Sequence, residues 1–63
     1  MYTRCFERTH YNHMTGIEVR DIINISEYGF EWYENDKLVR TGLVDGLEAT
    51  VEMLLDEGFE EVL

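Results

Sequence analysis

The chain has 63 residues, fourteen acids against five bases, a net charge of −9 and one cysteine, Cys5. That length holds one small domain, residues 1–63, whose core is marginal without a staple or a partner, and a lone thiol closes no internal disulfide. The charge excludes nucleic acid and anionic membrane as direct partners, since both would repel it.

In chain order, residues 2–9, YTRCFERT, read as a strand, with Tyr2 and Phe6 sharing a face with Arg4 and Arg8. HYNHMTG, residues 10–16, is polar enough for a loop. IEVRDIINIS, residues 17–26, alternates, with Ile17, Val19, Ile23 and Ile25 on one face and Asp21 the exception. Its other face carries Glu18, Arg20, Ile22 and Asn24. A short turn at Ser26-Glu27 sets Ile25 against Tyr28 and Ile23 against Phe30.

YGFEWYENDKLVRTGL reads as a hairpin with a two-residue turn at Asn35-Asp36, residue types that tolerate φ > 0. Glu34 then faces Lys37, Tyr33 faces Leu38, Trp32 faces Val39, Glu31 faces Arg40 and Phe30 faces Thr41. One face becomes Tyr28, Phe30, Trp32, Val39, Thr41 and Leu43. The other sets Glu31 against Arg40 and Tyr33 against Leu38. A one-residue slip would destroy both patterns.

A helix follows. Asp45 suits the N-cap, with Glu48 completing a capping-box-like pair and Val44 stapling onto Ala49. Leu47, Val51, Leu54 and Leu55 make its apolar stripe. Gly58 suits the left-handed position after the last turn, which lets Phe59 pack back on Leu54. The final FEEVL reads as a short fifth strand or a frayed tail. The expected fold is α+β: a three- or four-stranded antiparallel β-meander with one C-terminal α-helix packed on one face.

The chemistry-bearing residues are few. Cys5, His10 and His13 could offer ligands to a transition metal, but no fourth ligand or fixed spacing accompanies them, so no metal and no cofactor is expected. No oxyanion loop, isolated carboxylate pair or glycine-rich phosphate loop is present, so no enzyme is expected. The row Tyr28, Phe30 and Trp32 resembles a base-stacking platform but lacks a basic rim and reads as core. On the opposite face Ile22, Tyr33 and Leu38 make a modest apolar patch suited to a partner or to a homodimer. No apolar run approaches the ~20 residues of a membrane span. MYTRCFERTH lacks the apolar region of a signal peptide, and a reducing cytoplasm is the expected setting.

The charge is uneven. Residues 1–40 hold seven acids and five bases, a balance of −2, while residues 41–63 hold seven acids and no base, a balance of −7. Glu48, Glu52 and Asp56 repeat at four-residue spacing, where like charges repel. Asp56 and Glu57 oppose the helix dipole, and Glu60 and Glu61 extend the field. The bland role is solubility. The sharper role is a surface, Glu48, Glu52, Asp56, Glu57, Glu60 and Glu61, that meets a basic protein groove of a nuclease, DNA-repair enzyme or CRISPR effector. In size, charge and sheet-plus-helix plan the chain resembles phage-encoded DNA-mimic inhibitors, including anti-CRISPR proteins and inhibitors of uracil-DNA glycosylase. That resemblance implies a non-catalytic inhibitor and carries over no residue roles. The passage from hairpin into TGLVDGLEATVEML resembles the sheet-to-helix passage of HicB-type antitoxins, which implies the alternative of a small accessory interaction module.

Overall fold

A computed structural model describes residues 2–63, running β1 (Arg4–Asn12), β2 (Ile17–Ile25), β3 (Gly29–Glu34), β4 (Lys37–Leu43), α1 (Leu47–Asp56) and β5 (Glu60–Val62). The alternating apolar runs become strands of one antiparallel five-stranded sheet, ordered β4-β3-β2-β1-β5. The class is α+β, but the expected three or four strands are five, and α1 is not the last element. It carries the chain from the β4 edge to the opposite edge, where β5 pairs with β1 over Cys5–Glu7. The first strand also runs on to Asn12, three residues beyond the expected end, because residues 9–12 pair with 17–20.

One face of the sheet is apolar and α1 covers it. Phe6 of β1 and Ile23 and Ile25 of β2 are buried against Val51 and Leu54 of α1 and Phe59 beyond it. Phe30, Trp32, Val44 and Leu47 pack partly onto this cluster. Burying each aliphatic or aromatic side chain contributes about 1.5–3 kcal/mol, so six such residues are a small core.

Asp21, the exception to the β2 pattern, is fully buried on this face. Its carboxylate accepts hydrogen bonds from Trp32 Nε1 and Arg8 Nη2, each at 3.2 Å, and His10 Nε2 lies at 3.2 Å. Arg8 also donates to the Glu57 carbonyl at 3.0 Å and lies over the Phe59 ring at 4.3 Å. A buried charge needs such partners. Here they tie β1, β2, β3 and the end of α1 together.

The hairpin tip follows the sequence reading. Asn35 and Asp36 have φ of 48° and 69°, Glu34 faces Lys37, and Tyr33 faces Leu38. Beyond these pairs the expectation fails. A bulge between Trp32 and Tyr33 places Arg40, not Val39, opposite Trp32, and sets Glu31 against Thr41 and Phe30 against Gly42. One extra residue inverts the remaining alternation of β4. Val39 and Leu43 are exposed, and Arg40 and Gly42 occupy the helix side. The expected Glu31–Arg40 pair does not form. Between β2 and β3 the turn is longer than expected, with Ser26 Oγ accepting from Tyr28 N at 3.2 Å and Gly29 N at 3.3 Å. Ile25 therefore meets Phe30 and Ile23 meets Trp32. Tyr28 is left exposed, outside the expected apolar row. That shift is by two residues, so Phe30 and Trp32 stay on the core side.

At the start of α1 the N-cap is Gly46, at φ 89°, and no side chain caps the helix. Asp45 and Glu48 therefore form no capping box. Thr50 Oγ1 instead donates to the Gly46 carbonyl at 2.9 Å. Val44 packs on the core while Ala49 is exposed, so the expected staple is absent. The helix end matches the expectation: Phe59 N donates to the Leu54 carbonyl at 3.0 Å and Gly58 N to the Leu55 carbonyl at 3.1 Å, with Gly58 at φ 93°. This is a Schellman motif, and Phe59 joins Leu54 in the core. Leu55, expected in the buried stripe, is exposed.

Candidate binding surfaces

The six acids of the expected contact surface divide into separate groups. Glu48, Glu52 and Asp56 are exposed on α1 and form no ion pair among the described residues. Glu57 lies 3.9 Å from Arg8 Nη1 and is partly offset by it. Glu61 faces the helix side and is held by Arg4, whose Nε and Nη2 donate to its two oxygens at 2.8 and 2.7 Å. Those hydrogen bonds hold the Glu61 carboxyl below the usual carboxylate range and raise the Arg4 guanidinium in turn. Glu60 pairs with Glu7 in register and stands on the other face of the sheet, away from α1. The acid of the helix that makes no ion pair is thus a stripe of three residues, with Glu48 at its start within the field of Arg4 and Glu57 extending its end.

Among the described residues no element lies over the sheet face away from α1. Register sets Ile22 beside Tyr33 and Tyr33 beside Leu38, so the expected apolar patch is one continuous row across three strands. Ile22 and Tyr33 are half-buried by their neighbours and Leu38 is exposed. Desolvation, then the nearby Glu31, pushes the Tyr33 hydroxyl up, and that hydroxyl donates to Glu31 Oε1 at 3.4 Å. Polar residues frame the row: Arg20 donates to Glu7 at 3.0 Å, and Asn24 and Thr41 lie one register step along. Cys5 shares this face, and desolvation foremost pushes its thiol up.

The histidines and the thiol do not converge. Cys5 and His10 occupy alternate faces of β1, His10 engages Asp21, and His13 meets the Tyr11 ring edge-on at 5.0 Å. Among the described residues no three metal-ligating side chains come together.

Two features escaped the sequence reading. Beyond the stretch of β2 that pairs with β3, the far ends of β1 and β2 extend as a two-stranded ribbon with Tyr11, Met14 and Ile17 exposed at its tip. Residues 10–16 looked like a loop because polar side chains on both faces hide a strand when neither face is covered. The second is a cavity of about 190 Å³ between α1 and the β3–β4 half of the sheet. Its floor residues are visible in the sequence, but the bulge that shapes it has no sequence signal. Among the described residues no helix is long and apolar enough to cross a membrane. Comparison with family models, with curated proteins and with solved structures finds no match to this chain.

Proposed function

We propose that this is a non-catalytic acidic binding protein that inhibits a nucleic-acid-binding enzyme by occupying its positive groove as a DNA mimic, in the manner of phage anti-defence proteins. The observation that carries the reading is the stripe Glu48, Glu52 and Asp56: exposed, without ion pairs, on a helix that contains no base. Residues four apart rise about 6 Å along a helix axis. That spacing is of the same order as the one charge per ~3.4 Å on each strand of duplex DNA. Glu57 extends the stripe, whereas Glu61 is spent on Arg4 and Glu60 lies on another face. The contact set therefore narrows to Glu48, Glu52, Asp56 and Glu57, in a cytoplasmic setting suited to an unpaired thiol.

The test is binding of the wild-type protein and of a Glu48→Gln, Glu52→Gln, Asp56→Gln variant to a panel of nucleases, glycosylases and CRISPR effectors across a salt series. Wild type binds one of them with steep salt dependence, and the variant loses both affinity and slope. Unchanged binding by the variant rules the mimic out.

A second reading has its own observation, the uncovered row Ile22, Tyr33 and Leu38. It supports an accessory interaction module that docks a partner, or a second copy, through the open sheet face. Here a Tyr33→Ser, Leu38→Ser variant abolishes association while the acid-to-amide changes leave it intact.

A further inference from the structure

The cavity between α1 and the β3–β4 half of the sheet has a specific construction. Its apolar lining includes Ile23, Ile25, Phe30 and Trp32 from the sheet, with Met53 and Leu54 from the helix. Phe30 packs closely on Gly42: a Cβ at that position would sit 2.6 Å from the Phe30 ring, so the ring takes the space a side chain on β4 would fill. The bulge then turns Arg40 onto the same face, opposite Trp32. Without the extra residue Arg40 would stand on the open face, so the irregularity brings Arg40 into the cavity lining.

The charges around the cavity are unequal in their commitments. Arg8 pairs with Asp21 at 3.2 Å and approaches Glu57 at 3.9 Å, which satisfies Asp21 and only partly offsets Glu57, an exposed acid of the same lining. The Trp32 Nε1–H is already taken by Asp21. Arg40 lines the cavity and makes neither an ion pair nor a side-chain hydrogen bond among the described residues. The site therefore presents aromatic and aliphatic walls, with Arg40 as the uncommitted cation of its lining and Glu57 as an acid on the helix side. An enclosed apolar cavity of roughly 150 Å³ accepts a benzene ring; this half-open cleft offers about 190 Å³, room for one ring with one side left to solvent. We propose that it binds a small amphipathic carboxylate, with a single ring or short alkyl body against Phe30 and Trp32 and the carboxylate on Arg40. This site shares Glu57 with the acidic surface of α1 but none of Glu48, Glu52 and Asp56.

Trp32 is the only tryptophan of the chain, so its fluorescence reports the cavity directly. The experiment titrates phenylacetate, benzyl alcohol and phenethylammonium into the 63-residue chain and follows Trp32 emission, with the Trp32 Nε1–H and Met53 methyl NMR signals as a second readout. Phenylacetate gives a saturable change, and the neutral and cationic analogues bind roughly tenfold or more weakly for lack of a charge-assisted hydrogen bond. In Arg40→Gln the preference for phenylacetate over benzyl alcohol disappears. No saturable change with phenylacetate, or equal affinity for all three compounds in the native protein, overturns the proposal. The three-ligand comparison needs no variant and decides the question even if Arg40→Gln folds poorly.

Discussion

Asp21 interrupts an apolar alternation, and its neighbours explain why that is tolerated. The carboxylate is fully buried, with Arg8, His10 and Trp32 all directed at it. Removing the carboxylate leaves the Trp32 Nε1–H without its partner and Arg8 with Glu57 alone, at a cost of about 1–3 kcal/mol for each buried donor left unsatisfied. A domain this small holds about as much in total as the two together. Asp21→Ala is therefore expected to lose its cooperative melt in circular dichroism, and a variant that melts within a few degrees of wild type would show that Arg8 finds another partner. Glu61 has a milder role, and its sign is fixed by its hydrogen bonds to Arg4, which hold its carboxyl low in the folded state. A depressed carboxyl stabilises the fold fully above its unfolded pKa, and that contribution fades as pH falls through the lower folded value. The stability gap between wild type and Glu61→Gln is thus expected to be constant near neutrality and to close only in acid below the usual carboxylate range. Urea melts across that pH window measure it.

The two ends of α1 differ in what holds them, and substitution separates them. Gly58 sits at φ 93° with the nearest heavy atom to an added Cβ, Arg8 Cδ, at an ordinary 3.8 Å. The cost of Gly58→Ala is then conformational and not steric, about 1–2 kcal/mol. At the other end Asp45 makes no capping bond, so Asp45→Ala should stay within about 0.5 kcal/mol of wild type. Denaturant midpoints of the two variants give the contrast, and a large loss in Asp45→Ala would indicate a cap that forms in solution. The same elements show which signals a sequence can carry. Gly58-Phe59 and Asn35-Asp36 were legible because each meets a local backbone requirement with residues suited to it. The bulge at Val39 was not, since it is set by pairing across strands and leaves no local mark. The strand β5 has three residues, too few for periodicity, and is held by pairing to β1 some 55 positions away and by the Arg4–Glu61 bridge. Of the acid surface, the helix spacing exposed Glu48, Glu52 and Asp56. The capture of Glu61 and the opposite-face placement of Glu60 required the sheet order.

For the whole molecule the question is why so small a fold keeps a charge of −9. Three of its five bases, Arg4, Arg8 and Arg20, are committed to ion pairs with Glu61, Asp21 and Glu7. The acids of α1 are left facing one another. Glu48, Glu52 and Asp56 stand about 6 Å apart along the axis, inside the ~10 Å Debye length at 0.1 M salt. Each like pair at this spacing costs about 0.2–0.5 kcal/mol; glutamine matches glutamate in helix propensity, and at Asp56 it is the better helix former, which adds to the gain. The Glu48→Gln, Glu52→Gln, Asp56→Gln variant should therefore gain about 0.5–1 kcal/mol, a rise of roughly 3–6 °C in Tm for a domain of this size. Wild type should gain Tm as salt is raised toward 1 M, where the Debye length shrinks to ~3 Å, and the variant should gain less. Thermal melts of both proteins across a salt series test this independently of any partner. A variant that is more stable yet no longer binds would mean that the stripe is kept at the expense of the fold, as an interaction surface requires. Equal melting temperatures and equal salt slopes would remove the cost, and with it the reason to look beyond solubility for those three acids.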